Sequence, residues 1–279
     1  MIVFTIGLPL VVAIILFFPQ RNHLFFNLLT LVFTSLAAVE FRNILAQKDL
    51  VVSVPEAAIL GAIGPASWIL VISFGFNINI VPVAILLGAS WMLVSHVFFF
   101  KKQLDSYISS AAAGFTVIIY PGLFTACMIR LSSLSSNPGI VILFFLLIVC
   151  LNDSLAWVAG ILFGKNNRGL VAVSPNKSLA GFIGGQIFSL LAGIAAVLLF
   201  PDVFVPEVLS PLSAGIILGF GTGLAAIMGD LCESALKRSS GIKDSGSVIL
   251  GRGGALDSID SLAMAAPVYY LLCRLLFHL

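Results

Sequence analysis

Charge is scarce in this sequence. Only 9% of its 279 residues are Asp, Glu, Lys or Arg, against about 25% in an ordinary soluble domain. So few charges cannot cover a globular surface, which argues against a soluble domain. The formal net charge of +2 leaves no basic surface of the kind nucleic acid requires, so no nucleic-acid partner is expected. The four cysteines, Cys127, Cys150, Cys232 and Cys273, stand singly. Without a CxxC pair they suggest neither a disulfide framework nor a zinc site, and they read as small packing residues. The three histidines are scattered and form no HExxH. The sequons at Asn152 and Asn176 are short, frequent matches that carry no weight alone. No internal repeat or low-complexity tract is present.

What fills the sequence is apolar: 60% hydrophobic residues and a mean hydropathy of +1.15. A helix needs roughly 20 apolar residues to cross a bilayer. Runs of about that length lie at 2–19, 23–40, 56–74, 78–100, 107–131, 138–163, 179–200, 212–230 and 256–277. The fold class expected is therefore all-α, a polytopic membrane protein with about nine transmembrane helices. The first run has no basic residue before it and no clear small-residue cleavage site after it, so it reads as a retained span.

Basic residues accumulate in cytoplasmic loops. Eleven of the 14 fall in alternate connections: Arg42, Lys48, Lys101, Lys102, Lys165, Arg168, Lys177, Lys237, Arg238, Lys243 and Arg252. Arg21, Arg130 and Arg274 fall on the other side. Both termini are expected outside the cytoplasm, with a polar site facing it. The chain divides into N-terminal helices, 1–131, and a C-terminal catalytic region, 138–279, with cytoplasmic loops 164–178 and 231–255.

Carboxylates within or beside membrane spans are costly and mark function by default. Asp153 lies deep in the sixth run, in CLNDSLAWVAG, and Asp230 closes the eighth. Neither has a basic residue within a turn on its own helix, so each requires a cation, a lysine or a polar cavity from elsewhere. Between Asp230 and Asp260 stand five carboxylates, Asp230, Glu233, Asp244, Asp257 and Asp260, and four cations, Lys237, Arg238, Lys243 and Arg252, interleaved with glycines. Glu233 and Lys237, four apart, fit a solvated helical pair. Asp257 and Asp260, three apart at the start of an apolar helix, share a face. They fit either a capping device or a magnesium site completed by water and substrate phosphate. Nearby lysines and arginines would hold the remaining phosphate oxygens, and glycines in SGSVILGRGG admit a bulky anion. These are parts for phosphoryl or nucleotidyl transfer. The loop GKNNRGLVAVSPNKS adds Lys165, Arg168, Ser174 and Lys177. It is not a Walker A loop, because only three residues separate its glycines in GILFGKN. SPNKS also fits a helix cap.

The segment resembles the signature of the membrane-embedded phosphatidate cytidylyltransferases, also called CDP-diacylglycerol synthases. That signature runs Ser, two residues, Lys-Arg, four residues, Lys-Asp, then a glycine-rich turn ending His-Gly-Gly and Asp-Arg-x-Asp. Ser234, Lys237, Arg238, Lys243, Asp244, Gly246, Gly253, Gly254, Asp257 and Asp260 stand at matching positions. GDLCES, NDSLAWVAGILFG and SPNKSLAGFIGG resemble further family segments. The likeness covers 150–275, and the first half matches only as a generic run of spans.

The resemblance implies a reaction of CTP with phosphatidate to give CDP-diacylglycerol and pyrophosphate in phospholipid biosynthesis. It implies catalytic Asp153, Asp230, Asp257 and Asp260. Substrate would be bound by Ser174, Lys177, Ser234, Lys237, Arg238, Lys243, Asp244, Arg252, Gly253 and Gly254, and Mg2+ by Asp230 and Asp257. A second cation and a homodimer stay open. The implied setting is a bacterial inner membrane, with the lipid substrate in the bilayer and the site facing the cytoplasm. Four positions depart from the pattern: Arg252 for histidine, Ser258 for arginine, Ala180 for glutamate and Leu250 for proline or glycine. Arginine stays protonated and cannot act as a general base, but Arg252 can replace the charge absent at position 258. A catalytically impaired relative acting as a membrane partner, or a transporter using the buried acids, are the alternative readings.

Overall fold

The computed structural model describes residues 7–99, 107–249 and 253–279. Among them the regular structure is helical, with isolated β-bridges only at Arg168–Ser178, Pro206–Phe277 and Ile249–Gly253. The helices are α1 (Leu8–Phe17), α2 (Gln20–Ala46), α3 (Val54–Phe74), α4 (Ile80–Phe99), α5 (Tyr107–Leu131), α6 (Pro138–Phe163), α7 (Leu179–Leu199), α8 (Pro211–Ser239) and α9 (Leu256–Leu276). Seven, α2, α3 and α5–α9, are long and apolar enough to cross a membrane, whereas Leu8–Phe17 and Ile80–Ser95 are shorter apolar helices. Large apolar side chains such as Trp157, Ile161, Leu162 and Phe163 remain exposed along α6. Water would not tolerate so continuous an apolar surface, and a bilayer requires one. The protein is a polytopic membrane protein.

Two compact units make up the chain. The first holds the residues up to Arg130 together with Leu236–Ile259, and the second holds Leu131–Ala235 with Asp260–Leu279.

In the first unit α3 begins with a capping box: Ser53 accepts from the Glu56 N–H and the Glu56 carboxylate accepts from the Ser53 N–H. It ends at Gly75, whose φ of +73° suits a residue without Cβ. Pro121 cannot donate to an α-helical ladder, and around it α5 widens into a π-helical stretch at Ile118–Leu123. Gly122 lets that stretch approach the Gly61 carbonyl of α3. The Thr34 hydroxyl of α2 donates to that of Thr125 at 2.8 Å, a buried polar link between α2 and α5.

In the second unit helices pack backbone to backbone through small residues, the usual means of association where lipid removes the hydrophobic drive. On α8, Gly215, Gly219 and Gly223 repeat every four residues and face Gly193, Ser189 and Leu190 of α7. A Cβ on Gly219 would lie 2.8 Å from the Leu190 Cα. Asn152 of α6 joins this contact, donating to Ser189 Oγ at 2.8 Å and to the Gly223 carbonyl at 3.4 Å. The Tyr269 hydroxyl of α9 donates to the Val141 carbonyl of α6 at 3.0 Å.

Helix ends differ from the sequence reading at two places, and α2 runs to Ala46 where its apolar run stopped at 40. The eighth run was expected to stop at 230 and open into a loop, but α8 continues to Ser239. ESALKRS is charged yet composed largely of good helix formers, and charge alone does not end a helix. The helix closes at Gly241, φ +73°, with the Gly241 and Ile242 N–H groups bonded to the Arg238 and Lys237 carbonyls.

Candidate active site

A cavity of about 470 Å³ in the second unit is lined by Asn152, Asp153, Arg168, Lys177, Ser178 and Asp230, among others. Three stretches converge on it: the middle of α6, the 164–178 connection and the end of the apolar part of α8. The connection is pinned where it enters α7. Ser178 is the N-cap, accepting from the Gly181 N–H at 3.1 Å, and it packs against Gly160 of α6 and Gly164, the residue that caps that helix. The cap reading of SPNKS therefore holds for Ser178, while Lys177 beside it turns into the cavity.

Lys177 Nζ forms an ion pair with Asp230, whose side chain is 35% exposed. This is the partner that Asp230 lacked on its own helix. Asp153 accepts from Ser261 Oγ at 3.4 Å. Gly229 of α8 faces the Asp260 carbonyl and Ser261 of α9. Asp260 is buried, and its Oδ1 accepts from the Ser261 N–H at 2.6 Å.

A second cluster lies in the first unit and is built on the signature segment. Asp257 Oδ1 pairs with Lys237 Nζ at 2.7 Å. Its Oδ2 accepts from the Gly254 N–H at 2.7 Å and the Ser245 N–H at 3.1 Å. The bond to Gly254, three residues back, satisfies a backbone N–H just ahead of α9. Gly253 has φ +108° and exchanges backbone bonds with Ile249 in both directions, and a Cβ on it would strike the Asp257 carboxylate. Ser245 Oγ donates to Glu40 Oε2 at 3.0 Å. The Ala255 and Leu256 N–H groups donate to Glu40 Oε1 and Oε2 at 3.0 and 2.8 Å.

The sequence-derived residues divide accordingly. Asp153, Lys177 and Asp230 meet on one cavity, and Lys237, Gly254 and Asp257 meet in the signature cluster. Arg238, Lys243 and Asp244 are exposed and Ser234 is half-buried on α8. Ser174 shapes the 164–178 connection through its backbone, its N–H donating to the Val171 carbonyl and its carbonyl accepting from the Lys177 N–H. Glu233 is buried on α8 where a solvated position was expected, and Lys237 bonds Asp257. Of the departures, Ala180 donates its N–H to Asn167 at 3.5 Å and Ser258 Oγ donates to the Gly254 carbonyl. Leu250 and Arg252 lie outside the described residues. Glu40 was missed: it stands alone in an apolar run, and its partners are more than 200 residues away.

A hard divalent cation needs only one or two carboxylates when water and phosphate complete its shell. Among the described residues no three His, Cys, Asp or Glu side chains cluster as a metal-holding group. The donors fit a cation that arrives with phosphate. Asp230 is accessible on the cavity that Asp153 also lines, and Asp230 and Asp257 each already hold one cation, a lysine.

The sequence matches the model of the Cytidylyltransferase family over residues 1–276. The chain belongs to the cytidylyltransferase family. Its membership covers the first half as well, where the sequence alone gave only a generic run of spans. A phosphatidate cytidylyltransferase of Staphylococcus saprophyticus is 31% identical over 267 residues, 95% of this chain and 96% of that one. One from Staphylococcus aureus is 29% identical over 265 residues, with the same coverage of each. One from Staphylococcus haemolyticus is 42% identical over 132 residues, 47% of this chain and 48% of that one.

Proposed function

We infer that this cytidylyltransferase is a phosphatidate cytidylyltransferase, joining CTP and phosphatidate into CDP-diacylglycerol with release of pyrophosphate, a step of phospholipid biosynthesis. One observation carries the reading. In a chain of this family, acids and cations that are rare in the apolar helices gather on one cavity, as Asp153, Asp230, Lys177 and Arg168.

A phosphate oxygen of the lipid attacks the α-phosphorus of CTP, and the bond from that phosphorus to the bridging oxygen of the β-phosphate breaks. Negative charge grows on the departing pyrophosphate, so fixed cations stabilise this transition state more than the ground state. Lys177 and Arg168 are assigned to phosphate oxygens in the cavity. Ser174 is assigned to ordering the connection that carries them. In the signature segment, Ser234, Lys237, Arg238, Lys243, Asp244, Arg252, Gly253 and Gly254 are assigned to substrate. Asp153 and Asp260 are assigned to the acidic machinery with Asp230 and Asp257.

Magnesium, when bound, neutralises phosphate charge and polarises the phosphoryl oxygens. Asp230 and Asp257 are the carboxylates proposed to hold it. In each case a lysine occupies the cation-facing side, and transfer of that lysine to a phosphate oxygen frees the carboxylate. The basic-residue asymmetry supports a site open to the cytoplasm, in a bacterial inner membrane, where a lipid acid in the bilayer meets a soluble nucleotide.

The test is turnover by the purified chain in detergent with phosphatidate, magnesium and CTP labelled in its cytosine ring. Chloroform-soluble label that depends on phosphatidate is expected. No such product with phosphatidate or any other lipid phosphate overturns the reading.

A further inference from the structure

We propose that Glu40, outside the signature segment and buried near the C-terminal end of α2, is a positioning residue for the transferase reaction. It locks the signature loop in its working conformation. The proposal rests on the transferase reading for its kinetic consequence only.

The geometry is specific. The Glu40 side chain is 5% exposed. Its two oxygens accept three bonds, from Ser245 Oγ, the Ala255 N–H and the Leu256 N–H, at 2.8–3.0 Å. These donors bracket the segment 245–256, so one carboxylate ties both ends of the glycine-rich turn to α2. A carboxylate buried in a membrane helix is costly unless its oxygens are satisfied, and here donors of the loop satisfy both. The loop is shaped around it in return. A Cβ on Gly246 would lie 2.8 Å from Glu40 Cδ, and one on Gly254 would lie 2.6 Å from the same atom. Two glycines of the signature are therefore explained by room for this carboxylate. Beside it, Ser245 and Gly254 donate their N–H groups to Asp257, which holds Lys237. Displacing Glu40 shifts the donors that orient Asp257, although Glu40 touches neither Lys237 nor Asp257 among the described bonds.

Glu40→Gln is nearly isosteric but turns one acceptor into an NH2, which must then face an N–H donor. Glu40→Asp keeps both acceptors on a shorter stem. In the full chain in detergent, Glu40→Gln is expected to lower kcat/KM for CTP by about 10- to 100-fold, the range set by hydrogen bonds to a charged group. The loss should fall mainly on KM, because the loop carries residues assigned to phosphate. Amide exchange should accelerate at Ala255 and Leu256 while α2 and α3 stay protected. Glu40→Asp should recover part of both effects, and Gly246→Ala should reproduce the local deprotection.

Wild-type CTP KM together with unchanged protection at 255–256 in Glu40→Gln overturns the proposal. So does loss of protection throughout α2 and α3 in both the Gln and Asp variants, which would mark Glu40 as support for the fold alone. If the wild-type chain itself shows no turnover, the transferase reading fails, and the exchange measurements alone decide whether Glu40 anchors the loop.

Discussion

At the scale of single residues, Asp230, Asp257 and Glu40 each hold a lysine or backbone donors from a distant stretch of chain. Asp257 is the sharpest case: its side chain is 7% exposed, with Lys237 on one oxygen and two N–H groups on the other. Asp257→Asn replaces an acceptor by a donor inside this set. It should cost about 1–3 kcal/mol of stability, the penalty for one unmatched buried polar group, leaving the protein folded in detergent but without CTP turnover. Thermal unfolding and product formation on the same preparation check this, and full activity in the variant would remove Asp257 from the reaction. The need for such partners was legible: Asp153 and Asp230 had none nearby in sequence, and both proved to line a cavity that Arg168 and Lys177 also line. The identity of the partner was not. Lys177 reaches Asp230 across 53 positions and Glu40 reaches Leu256 across 216. Only the packing of helices fixes contacts at such separations, and no local pattern records them.

At the scale of elements, the apolar runs marked the helices well because seven of them are long and apolar enough to cross a bilayer, and their ends were least certain where charge and helix propensity conflict. The extension of α8 to Ser239 is the clearest instance. The glycine spacing on that helix has a mechanical meaning that composition alone does not convey. Gly219 stands against the backbone at Ser189 and Leu190, so Gly219→Val must push α7 and α8 apart. Overpacking of this kind typically costs about 1–3 kcal/mol. A lowered unfolding midpoint in detergent is expected, with turnover reduced through the shared Asn152 contact to Ser189 and Gly223. An unchanged midpoint would show that the two helices are not held at this line.

At the scale of the whole molecule, the chain matches its family along residues 1–276, and the distribution of its basic residues predicts an orientation. A cysteine introduced at Ser240 should react with a membrane-impermeant label from the cytoplasmic side, and one at Val205 from the opposite side. Reaction of both from one side would shift the count of spans by one and reverse half of the loops. The central claim concerns which phosphorus of the nucleotide moves to the lipid. The direct measurement supplies the purified protein with phosphatidate, magnesium and CTP carrying radiophosphorus at either the α or the γ position. Cytidylyl transfer places the α label in chloroform-soluble lipid and the γ label in water-soluble pyrophosphate. Lipid labelled from the γ position and not from the α position would make the protein a CTP-dependent lipid kinase and contradict the account.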